Sequence, residues 1–201
     1  MVNTLCKKST QAINYFANKR DGRINKMKAI KLIWLADRYH LRKYGRPVIG
    51  DTYWAMKFGP VASEALRIAD QDSRLSVGCL KYISKYLKIN GNDEKVRNLV
   101  SRHDVDLGVF SQTDIEALET VFNEYGDRDQ FELADISHSF PEWSKHEDEI
   151  ASGEKRVLMS YSDFFSHSKS SNVGIFNLDI EHLKDTKELY KDSVEVAQSV
   201  S

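Results

Sequence analysis

The sequence predicts a mainly α (α+β) fold: a compact helical domain with a small antiparallel β-sheet or hairpin and a C-terminal helix. Apolar residues recur at helical spacing in several segments, and Gly and Pro punctuate a short aromatic run. An Asn-Gly pair at 90–91 separates two apolar runs, as in a β-hairpin. The 201 residues are 41% hydrophobic and 10% aromatic, which is enough to bury a core.

The first two helices are predicted from their apolar faces. Residues 10–19 carry apolar side chains on one side, and Ser9 or Thr10 is placed to cap their start. Residues 25–43 are apolar nearly all round in their middle, which is typical of a helix at the centre of a bundle. Gly45 is placed to end this second helix.

The aromatic run that follows predicts a short strand over 52–57. Strand alternation places Tyr53, Ala55 and Lys57 on one face and Trp54, Met56 and Phe58 on the other. Pro60 stands where a first helical turn begins, and the apolar spacing after it predicts a helix over 61–70.

A hairpin and two further helices are predicted next. Residues 85–90 and 95–101 flank the Asn-Gly turn and are expected to share one sheet with 52–57. Periodicity does not decide between helix and strand for 75–85. Helices are predicted over 112–125, where Ser111 and Asp114 resemble a capping box, and over 131–139.

The chain is expected to divide into a helical domain, residues 1–150, and a C-terminal extension, residues 151–201. A serine-rich patch over 166–171 predicts a loop in the extension. An approximate apolar stripe among many charges predicts a last helix over 178–198, packed on the outside of the domain or on a partner.

Charge and cysteine content argue against several classes of protein. The 29 basic and 30 acidic residues leave a formal net charge of −1, which argues against extensive neutralisation of nucleic-acid phosphates. Cys6 and Cys79 lack a C-x-x-C spacing and are interpreted as small apolar core residues, not as a disulfide or a zinc site. The start, MVNTLCKKST, lacks the apolar stretch of a signal peptide, and no segment has the length of a membrane span. The predicted compartment is therefore the cytoplasm.

Sequence motifs for catalysis, metal binding or cofactor binding are missing, so no enzyme is predicted. Asp37 and His40 are three residues apart on the 25–43 helix and can share a face. They can be read as an acid/base pair, as a polar anchor for a partner, or as local hydrogen bonds that fix a neighbouring loop. The last interpretation is favoured, because no spacing demands chemistry.

A run of cationic residues raises the question of nucleic-acid binding. Its members are Lys26, Lys28, Lys31, Arg38, Arg42, Lys43 and Arg46. A solvated helix face around a buried stripe explains them equally well and is favoured. DNA-binding autoregulation stays an alternative.

The aromatic segment and the last helix are the candidate partner-binding elements. The candidate contacts are Trp54, Met56, Lys57, Phe58, Pro60, Tyr190 and Val194. Aromatic residues beside a cation suit a protein interface. The alternative, that the aromatic side chains pack into the core, stays open for each of them.

The segment from Lys31 to Leu66 resembles the signature of the Panacea domain, a family of SocA-like antitoxins and phage-associated GepA-like proteins. The motif positions include Asp37, Arg38, His40, Tyr44, Gly45, Gly59, His138 and Trp143, which are carried over as structural residues. Ser137 stands where the family usually shows threonine, so a hydroxyl is kept. The resemblance covers roughly residues 9–145.

The resemblance implies a mostly helical fold and the antitoxin half of a bacterial or phage toxin–antitoxin pair. Such an antitoxin binds and blocks a cognate protein toxin, whose gene is expected next to its own. A second mode, in which the antitoxin delivers its toxin to a protease, stays an alternative, and self-association stays open. The family has no established catalytic residues to transfer.

Overall fold

The computed structural model describes residues 2–91, 97–168 and 174–199 of the chain. Its α-helices are α1 (Thr4–Asn18), α2 (Lys26–Tyr44), α3 (Ser63–Ala69), α4 (Val77–Tyr86), α5 (Gln112–Tyr125), α6 (Gln130–His138), α7 (Pro141–Ser144), α8 (Glu147–Ala151) and α9 (Ile180–Ser199). The strands are β1 (Arg23–Asn25), β2 (Tyr53–Met56), β3 (Gly59–Ala62), β4 (Leu87–Asn90), β5 (Asn98–Ser101) and β6 (Val157–Leu158). Short 3-10 turns cover Leu107–Val109, Tyr161–Phe165 and Gly174–Phe176. The predicted mainly α fold with a small β element is confirmed.

Helix ends follow local capping chemistry. At α2, the Asn25 side chain accepts from the Lys28 N–H, and Gly45 ends the helix in the left-handed region, with φ 71°. The capping box of Ser111 and Asp114 starts α5 as predicted. The predicted start of α1 is wrong: the helix begins at Thr4 with Asn3 as its cap. Ser9 and Thr10, the two predicted caps, are buried within the helix.

The β-strands form two separate antiparallel sheets, in the orders β1-β5-β4 and β3-β2-β6. The predicted strands around the Asn-Gly turn do pair, with Ile89 opposite Leu99. Residues 92–96 of that turn lie outside the described residues. The expectation that 52–57 joins this sheet is wrong, because β2 pairs instead with β3 and β6.

The prediction that Pro60 begins a helix is wrong. Pro60 lies in β3, opposite Ala55. Proline lacks a backbone N–H and is therefore tolerated on an edge strand. Its carbonyl accepts from the Lys31 ammonium at 2.9 Å. The helix after Pro60 consequently begins only at Ser63.

Helix α2 is the centre of the fold and packs against α1, α5, α6 and α9. Its residues from Lys28 to Arg42 are buried without interruption. Trp34 is completely buried and meets Phe140 edge-on, with ring centroids 5.2 Å apart. A helix buried on every side must also bury its polar residues, and those residues carry the site described below.

A disulfide joins Cys6 of α1 to Cys79 of α4, with Cα atoms 6.1 Å apart. The interpretation of the two cysteines as unbonded apolar residues is therefore wrong, although both are buried. They lie 73 residues apart in sequence, and only the packing of α1 on α4 brings them together. No sequence spacing signals such a pair.

The C-terminal extension is packed onto the helical domain. Phe164, Phe165 and Phe176 are buried, and Leu183 of α9 is buried as well. Phe176 lies against the rings of both Tyr125 and Phe140. Residues of 157–168 and 174–186 thus complete the core around α2. The division at residue 150 stays a proposal about organisation.

Candidate functional site

The sheet β3-β2-β6 exposes an apolar face at the molecular surface. Along β2, Tyr53 and Ala55 point inward and are buried, whereas Trp54 and Met56 are half-buried and point outward. Lys57 and Phe58 follow in the exposed turn, and 53% of the Phe58 surface is exposed. The predicted alternation is therefore confirmed over Tyr53–Met56, whereas Lys57 and Phe58 lie in the turn beyond the strand.

Neighbouring strands extend this face. Val61 of β3 and Leu158 of β6 both lie opposite Trp54, and 57% of the Leu158 surface is exposed. The Arg156 guanidinium lies 4.5 Å from the centre of the Trp54 ring. We call Trp54, Met56, Phe58, Val61 and Leu158 the aromatic surface.

Sequence reasoning missed part of this surface and wrongly included one residue. Val61, Arg156 and Leu158 were not predicted, although the alternation of Arg156 and Leu158 is a weak strand signal. Pro60 was predicted as a partner contact, but it is buried on the inner side of the sheet, so its ring is not part of the exposed face.

The turn between β2 and β3 is held from below by α6 and α7. The Trp143 indole N–H donates to the Met56 carbonyl at 2.9 Å. His138 stacks on Trp143 with ring centroids 3.8 Å apart, and burial lowers the pKa of His138. Gly59 has φ 92°, and a Cβ on it would lie 2.0 Å from Ser137 Oγ. The motif residues Gly59, His138 and Trp143 thus set the position of the aromatic surface.

Lys31 holds the turn from the α2 side. Its ammonium donates to the Pro60 carbonyl and is almost completely buried. Burial lowers the pKa of Lys31 from 10.5 to about 7. Burial thus disfavours the charged form of Lys31, while the hydrogen bond to Pro60 holds its side chain in place.

We expect stability to rise with pH above neutrality because of Lys31. Its pKa is about 7 in the folded protein and 10.5 in an unfolded chain, so the unfolded state binds more protons between these values. Raising the pH through this window therefore favours the folded state. Urea unfolding at pH 7 and pH 9 checks this, with Lys31→Met as the comparison. An equal pH dependence in both proteins would contradict the assignment.

Asp37 anchors the loop that leads into β2. Its carboxylate accepts from the backbone N–H groups of Ile49 and Gly50, at 2.7 and 2.9 Å, and from the Tyr53 hydroxyl at 3.0 Å. Burial nevertheless raises the pKa of Asp37 to about 6. The Tyr161 hydroxyl also reaches this carboxylate, at 3.4 Å.

His40 holds the same loop from its other end. Its Nδ1–H donates to the Arg46 carbonyl at 2.6 Å, and its Nε2 accepts from the Thr113 hydroxyl at 3.0 Å. Burial lowers the pKa of His40 to about 4, so the ring is neutral near pH 7. Asp37 and His40 thus bind different parts of one loop, which supports the loop-fixing interpretation over an acid/base pair.

Arg38 and Arg42 bind groups inside the protein. Arg38 donates to Glu142 at 2.6 Å and lies over the Phe140 ring. Arg42 donates to the carbonyls of Phe164 and Phe176. The interpretation of the basic run as a solvated face is wrong for its buried members Lys28, Lys31, Arg38 and Arg42. Their burial equally removes them from any nucleic-acid surface.

Helix α9 closes the C-terminal end of α2. The Thr186 hydroxyl donates to the Arg42 carbonyl, and the His182 Nε2–H donates to the Lys43 carbonyl, both at 3.0 Å. These carbonyls belong to the last turn of α2, which lacks partners within the helix. A Cβ on Gly45 would lie 2.9 Å from the Thr186 carbonyl oxygen. Nearby, the Tyr44 hydroxyl donates to Glu116 at 2.8 Å.

Gly45→Ala is expected to cost more stability than Gly22→Ala. Both glycines have positive φ, 71° and 80°, so alanine is strained at either position by about 1–2 kcal/mol. Only at Gly45 would the new methyl group meet α9, and crowding of this kind adds about 1–3 kcal/mol. Urea unfolding measures the difference, and equal losses would show that α9 does not pack tightly there.

The two predicted contacts on α9 lie beyond this anchor. Tyr190 is half-buried and packs near the rings of Tyr161 and Phe165, at centroid distances of 5.9 and 6.0 Å. Val194 is half-exposed on the following turn. Neither residue is part of the aromatic surface as defined above.

Within residues 2–91, 97–168 and 174–199, no group of three or more His, Cys, Asp or Glu side chains is placed to hold a metal ion. Over the same ranges, none of the helices is both long and apolar enough to cross a bilayer.

A model of a known protein family matches the chain. The family model described as antitoxin SocA-like, Panacea domain, matches residues 30–144. No curated protein and no solved structure matches the chain significantly. The matched segment runs from α2 to α7 and includes every motif residue described above. Because this match spans more than half of the 201 residues, the chain belongs to the SocA-like antitoxin family and carries a Panacea domain.

Proposed function

We propose that this protein is an antitoxin that neutralises a cognate protein toxin by binding it directly through the aromatic surface. The observation that carries the proposal is an exposed apolar face with Trp54 and Phe58 at the surface of an antitoxin-family domain. Aromatic side chains supply much of the binding energy in protein interfaces. The toxin is expected to be encoded by an adjacent gene.

The hairpin that carries this surface is suited to recognition because it is held in place before binding. Trp143 and Lys31 bond its backbone at Met56 and Pro60. A surface ordered in advance loses less conformational entropy when a partner binds. Lys57 is exposed at its rim and stays a proposed contact, whereas Pro60 is no longer proposed as one.

The exposed end of α9 is proposed as a second contact region, with Val194 and the outer side of Tyr190. A truncation before α9 is a poor test of this idea, because it removes His182 and Thr186 from the end of α2. A chain ending at Tyr190 keeps that anchor and removes only the distal turns. We propose a non-enzymatic role in the cytoplasm for the whole protein.

The test is growth of bacteria that co-express the adjacent gene with this one, followed by a pull-down. We expect rescue of growth together with a stable complex. Phe58→Ala should weaken that complex by about 10–100-fold, the range of an interface hot spot. Phe131→Ala is the matched control, because Phe131 is 54% exposed against 53% for Phe58, and it lies in the first turn of α6 and is not a residue of the aromatic surface.

Other results would change the proposed mechanism. Rescue with falling toxin levels and no stable complex would favour delivery to a protease. Rescue with a salt-sensitive shift of promoter DNA, and no complex, would favour repression. Failure to rescue growth against any neighbouring gene product would remove the antitoxin proposal.

A further inference from the structure

The outer sheet has one open edge, and it lies beside the aromatic surface. The strand order β3-β2-β6 leaves β3 and β6 at the edges. The β3 edge is covered, because the Pro60 carbonyl accepts from Lys31 and Gly59 lies against Ser137. Residues 154–156 and Leu158 are exposed along the β6 edge.

The backbone of β6 is oriented to accept another strand. The Met159 N–H donates to the Tyr53 carbonyl at 3.0 Å, which places the backbone groups of Met159 on the β2 side. Backbone groups of successive strand residues point to opposite sides. The N–H and C=O of Leu158 therefore point away from β2, toward the open edge.

The side chains along this edge specify what a fourth strand would carry. A strand beside β6 would extend the outward row that Val61, Trp54 and Leu158 already form. Its outward residue beside Leu158 needs to be apolar, and its next outward residue, two positions along, lies near Arg156, which shares the outward face. An extended segment bound in this way gains affinity from main-chain hydrogen bonds and specificity from alternate side chains.

The charges around the β6 edge indicate which charge a fourth strand would carry. Lys57, Lys155 and Arg156 are exposed together with one acidic residue, Glu154, so these four residues carry a net positive charge. Short edge strands with nearby cations resist pairing with a copy of themselves, because like charges would meet. The same cations attract an acidic strand.

We infer that the β6 edge binds an extended segment of the partner that carries an apolar and an acidic side chain at two successive outward positions. This inference rests on the proposed function, since it assigns the recognised segment to the toxin. The segment adds as a fourth strand beside β6. Its outward apolar side chain covers Leu158, and its outward carboxylate, two residues along, faces Arg156. A second copy of this chain is disfavoured at the edge by the same charges.

Two substitutions at one position test the backbone bonds. Leu158→Pro removes the outward N–H and leaves the β2 pairing intact, because that N–H takes no part in it. Leu158→Ala keeps the N–H and removes most of the apolar side chain. With the protein encoded by the adjacent gene as the probe, we expect Leu158→Pro to weaken binding at least about 10-fold more than Leu158→Ala. Similar losses in the two variants, at melting temperatures close to the parent's, would overturn strand addition.

A charge reversal tests the acidic character of the segment. Arg156→Glu should weaken binding about 10-fold at low salt and less at high salt, because exposed charges are screened. Unchanged or tighter binding would overturn this part of the inference. Dimerisation of the wild-type chain that Leu158→Pro abolishes would overturn it too, since the edge would then bind a second copy.

A peptide assay separates this inference from the proposed function. The probes are fluorescein-labelled ten-residue peptides with threonine at every second position. Valine alternates with glutamate, or with lysine, at the positions between, and each peptide is titrated against the full chain. Selective binding of the glutamate peptide, lost in Leu158→Pro, supports the edge even if no adjacent gene encodes a toxin. Equal binding of both peptides, or none, overturns it even if toxin neutralisation is observed.

Discussion

Glu142→Gln is expected to destabilise the protein by about 3–5 kcal/mol, the cost of removing one member of a buried ion pair. Glu142 and Arg38 are both almost fully buried, and they are joined at 2.6 Å. Burial raises the pKa of Glu142, whereas the adjacent Arg38 charge lowers it. A neutral glutamine would leave the Arg38 guanidinium charged within the core, over the Phe140 ring.

Urea unfolding at neutral pH measures this loss. Glu119→Gln is the matched control, because the Lys19–Glu119 pair is about half exposed and should contribute less than about 1 kcal/mol. The double variant Arg38→Met, Glu142→Leu should be more stable than Glu142→Gln, since it leaves no unpaired charge. A loss below about 1 kcal/mol in Glu142→Gln would mean that water reaches the pair.

A chain that ends at residue 150 is expected to lose cooperative unfolding altogether. It lacks Phe164, Phe165 and Phe176, and each buried aromatic contributes about 3–5 kcal/mol to stability. It also leaves Arg42 without the carbonyls that it binds. The three aromatics alone account for about 9–15 kcal/mol, which is as large as the roughly 5–15 kcal/mol by which natural proteins are stable.

Thermal unfolding followed by near-UV circular dichroism checks this prediction. A chain that ends at Tyr190 is the control, because it keeps Leu183 and Thr186 in place and should melt close to the full protein. A sharp melting transition in the 150-residue chain would show that the helical domain folds alone. The extension would then be an accessory element.

Helix positions could be predicted from the sequence wherever the apolar stripe and the caps agree. Ser111 and Asp114 indicate the start of α5, and Gly45 indicates the end of α2. The start of α1 was missed because Ser9 and Thr10 resemble caps locally, while Asn3 performs that role. Local patterns do not show which of several capping residues the packed core will use.

Long-range pairings could not be predicted for a related reason. No residue near Val157 in sequence indicates that it pairs with Ala55. None near Cys79 indicates its disulfide with Cys6. The cations of α2 were misjudged because their usual place is the surface. Arg38 and Arg42 are buried because the extension supplies the carbonyls of Ser166 and Phe164, which no local pattern of α2 reveals.

The aromatic surface was predicted only in part. Alternation along β2 separates outward Trp54 and Met56 from inward Tyr53 and Ala55, so one strand was assigned correctly. The sequence does not show that Leu158 lies beside Trp54, since roughly 100 residues separate them. Surfaces assembled from distant segments become visible only in the fold.

The last core residues lie late in the chain, so the core cannot be completed until those residues have been synthesised. A ribosome must translate roughly 40 residues beyond Glu142 before Leu183 exists, which takes about 2–8 s at about 5–20 residues per second. Throughout that interval the last turn of α2 lacks the groups that cap it, Thr186 and His182. Interrupted translation products would therefore expose apolar surface and be degraded, so the amount of active protein depends on how many ribosomes pass codon 186.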